Sequence, residues 1–225
     1  LSLAKQLKTQ IISADSRQIY RGLTVGTAKP QGSWQDGVYR VDGVSYHLVD
    51  FATPQQTFDA AAFCTQARAL TDAHPEKSFI FAGGTGMYLH AFFVGMDPLP
   101  PANATLRAEL AAWAQTHGKE ALHARLAEKD PVSARQIPSG NIQRVMRALE
   151  ITLLAGQPAS ALKSGQFFGQ FPTDQALFIY LHWDKELLNQ RIATRTRAML
   201  DPMAEETRAL LADGAAPDCP ALKSL

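Results

Sequence analysis

Ser78-Phe79-Ile80-Phe81-Ala82-Gly83-Gly84-Thr85 is the stretch that decides the fold class. Its uncharged core, rich in aromatic and β-branched side chains, has the pattern of a central parallel strand buried on both faces. It stops at Gly83 and Gly84, and Met87, Tyr88, Phe92 and Phe93 then take helical spacing. Thr85 therefore falls near a helix N-terminus, where backbone N–H groups favour anions. Toward the N-terminus, Leu1, Leu3, Ala4 and Leu7 form the apolar face of a helix, and Ile11 and Ile12 form a short buried strand ending at Asp15 and Ser16. Residues 39–51 have strand character, and residues 58–74 are predicted as a helix capped by Thr57. Residues 98–164 carry only short helices, whose starts are marked by Asn103, Gly118, Asp130 and Asn141. The sheet is predicted to resume with a strand over 176–182. Asp184 then caps a helix with the core face Leu187, Leu188, Ile192 and Leu200, and a further helix runs up to Gly214. The expected fold is α/β, a parallel sheet with helices on both faces, with its core in residues 1–100 and 165–225 and an all-helical insertion in 101–164.

Composition narrows the function classes. A chain of 225 residues with 46% apolar content can bury a substantial core, which argues against general disorder. With 22 basic and 21 acidic residues the net charge is +1, so a polyanion must be met by local patches. Cys64 and Cys219 are too few for a disulfide framework and lack zinc-site spacing, which points to a reducing compartment, the cytoplasm. The longest uncharged stretch, residues 79–96, is interrupted by Gly83, Gly84 and His90, so no membrane span is expected.

Ile12-Ser13-Ala14-Asp15-Ser16-Arg17-Gln18-Ile19-Tyr20 packs a carboxylate, a hydroxyl and an amide at a strand end. That suits acid/base chemistry and reading of a base edge, although Asp15 and Ser16 would equally satisfy backbone amides in a tight turn. Lys29, within Gly26-Thr27-Ala28-Lys29-Pro30, offers a cation for phosphate or is simply solvated. Gly83-Gly84-Thr85-Gly86 is either an oxygen-binding turn or a plain strand-to-helix connection with Thr85 as N-cap. His47 and Asp50 are expected to be structural. Arg144 and Arg147 share a helix face that would grip phosphates or face solvent, and Arg191 and Arg195, four apart, can converge on a pyrophosphate. The helical insertion holds seven Lys and Arg against five Asp and Glu over residues 101–160, too small an excess to mark a nucleic-acid module by charge.

Residues 12–20, 26–30, 80–88 and Gln143-Arg144-Val145-Met146-Arg147-Ala148-Leu149-Glu150, in that order and spacing, resemble the tRNA dimethylallyltransferase family. The resemblance continues through Gln190-Arg191-Ile192 and Arg208-Ala209-Leu210-Leu211. It implies a P-loop NTPase-like core and transfer of the dimethylallyl group of dimethylallyl diphosphate to N6 of adenosine 37, in tRNAs reading codons that begin with U. By this resemblance Asp15 is the general base, and Ser16, Arg17 and Gln18 belong to the segment that holds the flipped adenosine. Thr85 binds the bridging oxygen of the diphosphate. Arg195, with Arg191 and Lys29, neutralises the leaving oxygens beside Mg²⁺. Arg107, Gln143, Arg144, Val145, Met146 and Arg147 match positions that touch the anticodon stem-loop.

The family pattern opens with a strand and a Gly-rich loop ending Gly-Lys-Thr, whereas nothing precedes Leu1 here, and the helix at Leu1 to Leu7 looks like the one this loop opens. Pro138-Ser139-Gly140-Asn141 stands where the family has His-Pro-Asn-Asp, and the chain stops at Leu225 where the family continues. The expectation is therefore a monomeric piece of the enzyme, lacking the metal-binding Thr and inactive alone. Other classes left open are an adenylate isopentenyltransferase, a small-molecule P-loop kinase and a non-catalytic remnant.

Overall fold

The computed structural model describes residues 1–163 and 169–224. The chain divides into two compact units, residues 1–94 with 171–225, and residues 95–170. The domain boundary expected at 164–165 lies outside the described residues.

In the first unit, helix α1 (Ser2–Gln6) leads into β1 (Gln10–Ser13), followed by β2 (Ser33–Gln35), β3 (Val38–Val41) and β4 (Val44–His47). Helix α2 (Ala60–Asp72), β5 (Phe79–Ala82) and α3 (Gly86–Phe93) complete the sequence-contiguous part. The sheet order is β2-β3-β4-β1-β5. β1 runs parallel to both β4 and β5, while β2, β3 and β4 form an antiparallel meander, so the sheet is mixed and not the parallel one expected. Two Asp-Gly turns cause the difference. Asp36 and Gly37 have φ of 49° and 75°, and Asp42 and Gly43 have 48° and 81°. Positive φ at both central residues is the two-residue hairpin geometry, which folds each strand back on the last.

β1 is paired on both sides, by β4 and β5, and its alternation splits the core. Ile11 packs with Tyr39, Val41, Val44 and Tyr46 on one face, and Ile12 with Phe63, Ala67 and Tyr88 under α2 and α3 on the other. Helix α2 is capped by Asp59, whose carboxylate accepts from the Ala62 amide, and not by Thr57. β5 is an edge strand among the described residues and only half-buried, contrary to the burial on both faces expected of it. Residues 176–182 do not form a strand, and Leu177, Tyr180 and Leu181 are at least 80% exposed. An apolar run becomes a strand only where a neighbouring edge pairs its backbone groups, and none does so here.

The second unit contains α4 (Ala104–His117), α5 (Lys119–Lys129), α6 (Pro131–Gln136), α7 (Ile142–Ala155) and α8 (Ala159–Leu162), starting after Asn103, Gly118, Asp130, Asn141 and Pro158. The side chains of Asn103, Asp130 and Asn141 each accept the amide three residues on. Leu110, Leu122, Leu126, Val145 and Leu149 fill the core. Asp130 is fully buried and accepts four hydrogen bonds, from the amide (2.9 Å) and hydroxyl (2.6 Å) of Ser133 and the amide (2.8 Å) and hydroxyl (2.6 Å) of Ser160. One carboxylate thereby ties the start of α6 to α8.

Returning to the first unit, α9 (Lys185–Ala212) is a single helix of 28 residues where two were expected, and it continues through Pro202, which withholds one backbone N–H. Leu187, Leu188, Ile192 and Leu200 are 40–50% exposed and form no core face; of this helix only Leu210 is buried, against Ile19, Tyr20 and Leu23. Among the described residues no helix is long and apolar enough to cross a membrane.

Burial pushes the Asp130 carboxyl upward, but the hydrogen bonds from Ser133 and Ser160 outweigh it and hold the pKa at about 2, below the ordinary 3.8. Because the folded value is depressed, its stabilisation is complete above the unfolded pKa and is lost as pH falls through about 2. Urea titrations monitored by circular dichroism should show Asp130→Ala destabilising the helical unit by about 3 kcal/mol. Asp130→Asn should flatten the stability profile between about pH 4 and pH 2.

Candidate functional site at the strand ends

The parallel strands β1 and β5 end together, with Ser13 opposite Ala82. Their pairing continues beyond the sheet. The Ala14 amide donates to Ala82 O at 2.8 Å, and the Thr85 amide donates to Ala14 O at 3.0 Å. Gly83 passes between them so closely that a Cβ there would lie 2.2 Å from Ala14 O and 2.8 Å from Asp15 N. Glycine is the residue this approach admits, because the clashing atoms are backbone and cannot swing away.

This contact brings Thr85 to the loop after β1. Its Oγ1 accepts the Ser16 amide at 2.9 Å and donates to Ser16 Oγ at 3.2 Å. Thr85 occupies the N-cap position of α3, yet its side chain makes no capping bond. The Asp15 carboxylate divides its work. Oδ1 accepts the amides of Arg17 (2.8 Å) and Gln18 (3.4 Å), the turn anticipated from sequence, while Oδ2 has no hydrogen-bond partner among the described residues. Asp15, Ser16 and Thr85 are half-buried and Arg17 is exposed. Gln18 is spanned internally. Its Nε2 donates to Ala28 O at 3.2 Å and its Oε1 accepts from Ser13 Oγ at 3.4 Å.

Lys29 does not present its charge to this site. Its side chain is fully buried, with Nζ 2.6 Å from Asp50 Oδ1 and donating also to Tyr20 O. Burial lowers its pKa, and the hydrogen bond and charge of Asp50 work against that. Asp50 Oδ2 accepts from Trp34 Nε1 at 2.9 Å. His47 is half-buried and bonded to Gln10 Oε1 at 2.6 Å, a structural pairing, and burial lowers its pKa.

Arg191 and Arg195 line one open concavity on α9 with Leu188, Ile192 and Thr194, and the Arg191 guanidinium sits 4.3 Å from the centroid of the Trp183 ring. No ion pair or hydrogen bond among the described residues joins either arginine to Asp15, Ser16 or Thr85.

Within the helical unit, Arg107 and Arg147 converge on Glu150, which is fully buried. Arg107 donates through Nε (2.9 Å) and Nη2 (3.0 Å), Arg147 through Nη1 (2.6 Å), and the Asn103 amide adds a fourth bond at 2.6 Å. Burial raises the Glu150 pKa, but these donors prevail and hold it below its ordinary value. Arg147 is thus not on a face turned from the core, as its spacing suggested. Gln143 and Arg144 are exposed and Met146 is half-buried. Val145, expected at a tRNA contact, has its side chain fully buried in the apolar stripe with Ala148 and Leu149. Sequence reasoning gives Asp50 only a structural place, without a partner, and singles out neither the Glu150 carboxylate nor Glu206. Each has a partner 21 or more positions away, Lys29 for Asp50, Arg107 for Glu150 and Thr24 for Glu206, and only the Arg147–Glu150 pair, three apart, is visible as a local helical spacing.

The model of the IPP transferase family matches residues 18–225. The chain belongs to that family. It is 48% identical over its whole length to the tRNA dimethylallyltransferase of Elusimicrobium minutum, spanning 73% of that protein. It is 39% identical to the tRNA dimethylallyltransferase of Methylibium petroleiphilum over 95% of this chain, spanning 65% of that one. Among solved structures, the full-length tRNA isopentenylpyrophosphate transferase from Bacillus halodurans matches with a TM-score of 0.58 and 32% identity, over 99% of this chain and 67% of that one. A eukaryotic dimethylallyltransferase acting on tRNA matches with a TM-score of 0.68 at 21% identity, over 96% of this chain and 53% of that one, and shares the fold.

The strand-end cluster hangs on one glycine and is indifferent to its neighbour. A Cβ at Gly84 would meet nothing within 4 Å. Gly83→Ala is expected to cost about 1–3 kcal/mol in chemical denaturation, and Gly84→Ala to stay within about 0.5 kcal/mol of the parent protein.

Proposed function

We propose that the protein transfers the dimethylallyl group of dimethylallyl diphosphate to N6 of adenosine 37 of tRNA, with the acceptor held at the Asp15, Ser16 and Thr85 cluster. The observation that carries this reading is the Asp15 carboxylate. One oxygen is fixed by two backbone amides and the other has no hydrogen-bond partner among the described residues, one residue from a serine bonded to Thr85. A fixed, half-buried carboxylate with a free lone pair suits a general base. An exocyclic adenine amine is a weak nucleophile. As the bond from N6 to the allylic carbon forms and the bond from that carbon to the diphosphate oxygen breaks, the N6 proton passes to Asp15 Oδ2 and the electron pair leaves with the diphosphate.

The Thr85 hydroxyl can rotate from Ser16 Oγ toward the bridging oxygen, since one O–H serves either acceptor. Ser16 and Arg17 flank the adenosine, and Gln18 acts by bracing the loop. Extruding the base costs a few kcal/mol, returned in part by contacts to its Watson-Crick edge. Arg195 and Arg191 supply cations to the diphosphate, and Lys29 is withdrawn from that role because it is buried against Asp50. On the helical unit Gln143, Arg144, Arg107 and Arg147 meet the anticodon stem-loop, with Glu150 cancelling one of the two charges it holds. The proposal includes a P-loop NTPase-like core and a cytoplasmic monomer. Mg²⁺ accompanies the diphosphate in this proposal, and the described residues contain no cluster of three His, Cys, Asp or Glu side chains. The step assigned to Asp15 is carboxylate chemistry.

The test is nucleoside mass spectrometry of unmodified tRNA after incubation with the full protein and dimethylallyl diphosphate. N6-dimethylallyladenosine should form, and Asp15→Asn should slow its formation by about 100-fold or more. An unaffected Asp15→Asn variant, or AMP outperforming tRNA as acceptor, contradicts the assignment.

A further inference from the structure

Residue 206 lies far from the acceptor loop in sequence, yet its carboxylate is bonded into the turn, 180–182 positions away, that braces that loop. Glu206 Oε1 accepts the amides of Thr24 (2.8 Å) and Val25 (2.7 Å), and Oε2 accepts that of Gly26 (3.0 Å). Three consecutive N–H groups converging on one carboxylate form a nest, a charge-assisted arrangement of fixed geometry. Internally the turn closes through Thr27 Oγ1 to Leu23 O at 2.7 Å, the Ala28 amide to Val25 O at 2.9 Å and the Lys29 amide to Thr24 O at 2.9 Å. Ala28 is held at a φ of 50°, left-handed backbone that an L-residue adopts only where its surroundings impose it.

The far side of the same turn faces the site. The carbonyls of Thr27 and Ala28 receive the Gln18 side-chain amide, whose oxygen takes the Ser13 hydroxyl, and the Gln18 backbone amide donates to Asp15 Oδ1. A connected set of hydrogen bonds therefore runs from α9 through residues 24–28 and Gln18 to the carboxylate proposed as base. We infer that Glu206 is a positioning residue for the acceptor loop, acting through the 24–28 turn and Gln18 to fix Asp15. It touches neither substrate. The chemistry selects glutamate. A glutamine retains one acceptor oxygen but turns an NH₂ toward an N–H, and an aspartate is one methylene too short to reach the nest from α9.

The inference rests on Asp15 as acceptor-side base, and its test separates the two. Steady-state kinetics of the full protein with an unmodified anticodon stem-loop should show Glu206→Gln lowering kcat/KM for the stem-loop about tenfold or more, with KM for dimethylallyl diphosphate unchanged. In a Gln18→Ala background the same substitution should cost less than about twofold, because the connection is already cut. A merely structural Glu206 would reduce activity equally in both backgrounds, and that outcome overturns the inference. Amide hydrogen exchange gives a readout independent of turnover. Glu206→Gln should lose protection at residues 24–28 and also at 15–18. Should the unsubstituted protein transfer no prenyl group, the functional reading fails alone, and exchange decides the positioning role: loss at 24–28 with 15–18 unchanged refutes it.

Discussion

At residue 83 the backbone lies against the Ala14 carbonyl with no room for a side chain. That contact sets the distance between the ends of two parallel strands, and the rest of the site follows from it. It lets the Thr85 amide reach Ala14 O, which aims the Thr85 hydroxyl at Ser16 instead of at the α3 amides. It also places Ser16 and Asp15 on a short loop with no slack. These 2.8–3.0 Å backbone bonds extend the β1–β5 pairing past the ends of both strands, so the site is anchored to the sheet by main-chain groups.

Around this point the protein uses carboxylates as collectors of hydrogen-bond donors. Asp130 gathers two amides and two hydroxyls, Glu150 an amide and two guanidinium groups, and Glu206 three successive amides. Each joins segments far apart in the chain. Breaking such a cluster strands several donors at once, so the cost exceeds that of one hydrogen bond. For Glu150 there is a second consequence. Two arginines held by one buried carboxylate keep a net positive charge with both side chains a third to a half exposed, a preset cationic point on an otherwise nearly neutral helical unit.

What the sequence makes legible is what is encoded locally. Strand ends at Asp15 and Gly83, and helix starts at Asn103, Asp130, Asn141 and Asp184, follow from a few adjacent residues and stand as expected. The Asp-Gly pairs at 36–37 and 42–43 are equally local hairpin signals, and they make the sheet mixed where strand pattern alone predicts a parallel one. Other features depend on distant partners. Whether residues 176–182 pair as a strand, whether Lys29 faces solvent or Asp50, and whether Val145 points at a ligand or the core are decided by what packs against them. Glu206 is the extreme case, an unremarked position in a polar helix stretch whose three partners lie at the other end of the chain.

The central claim is that an adenine amine is bound at the Asp15 Oδ2 left open by this geometry. A crystal structure of the protein with an unmodified anticodon stem-loop tests it directly. The account predicts the extruded adenosine with N6 about 3 Å from the Asp15 carboxylate and the Thr85 hydroxyl beside it. An adenosine stacked in its loop, or extruded into a pocket remote from Asp15 and Thr85, would contradict it.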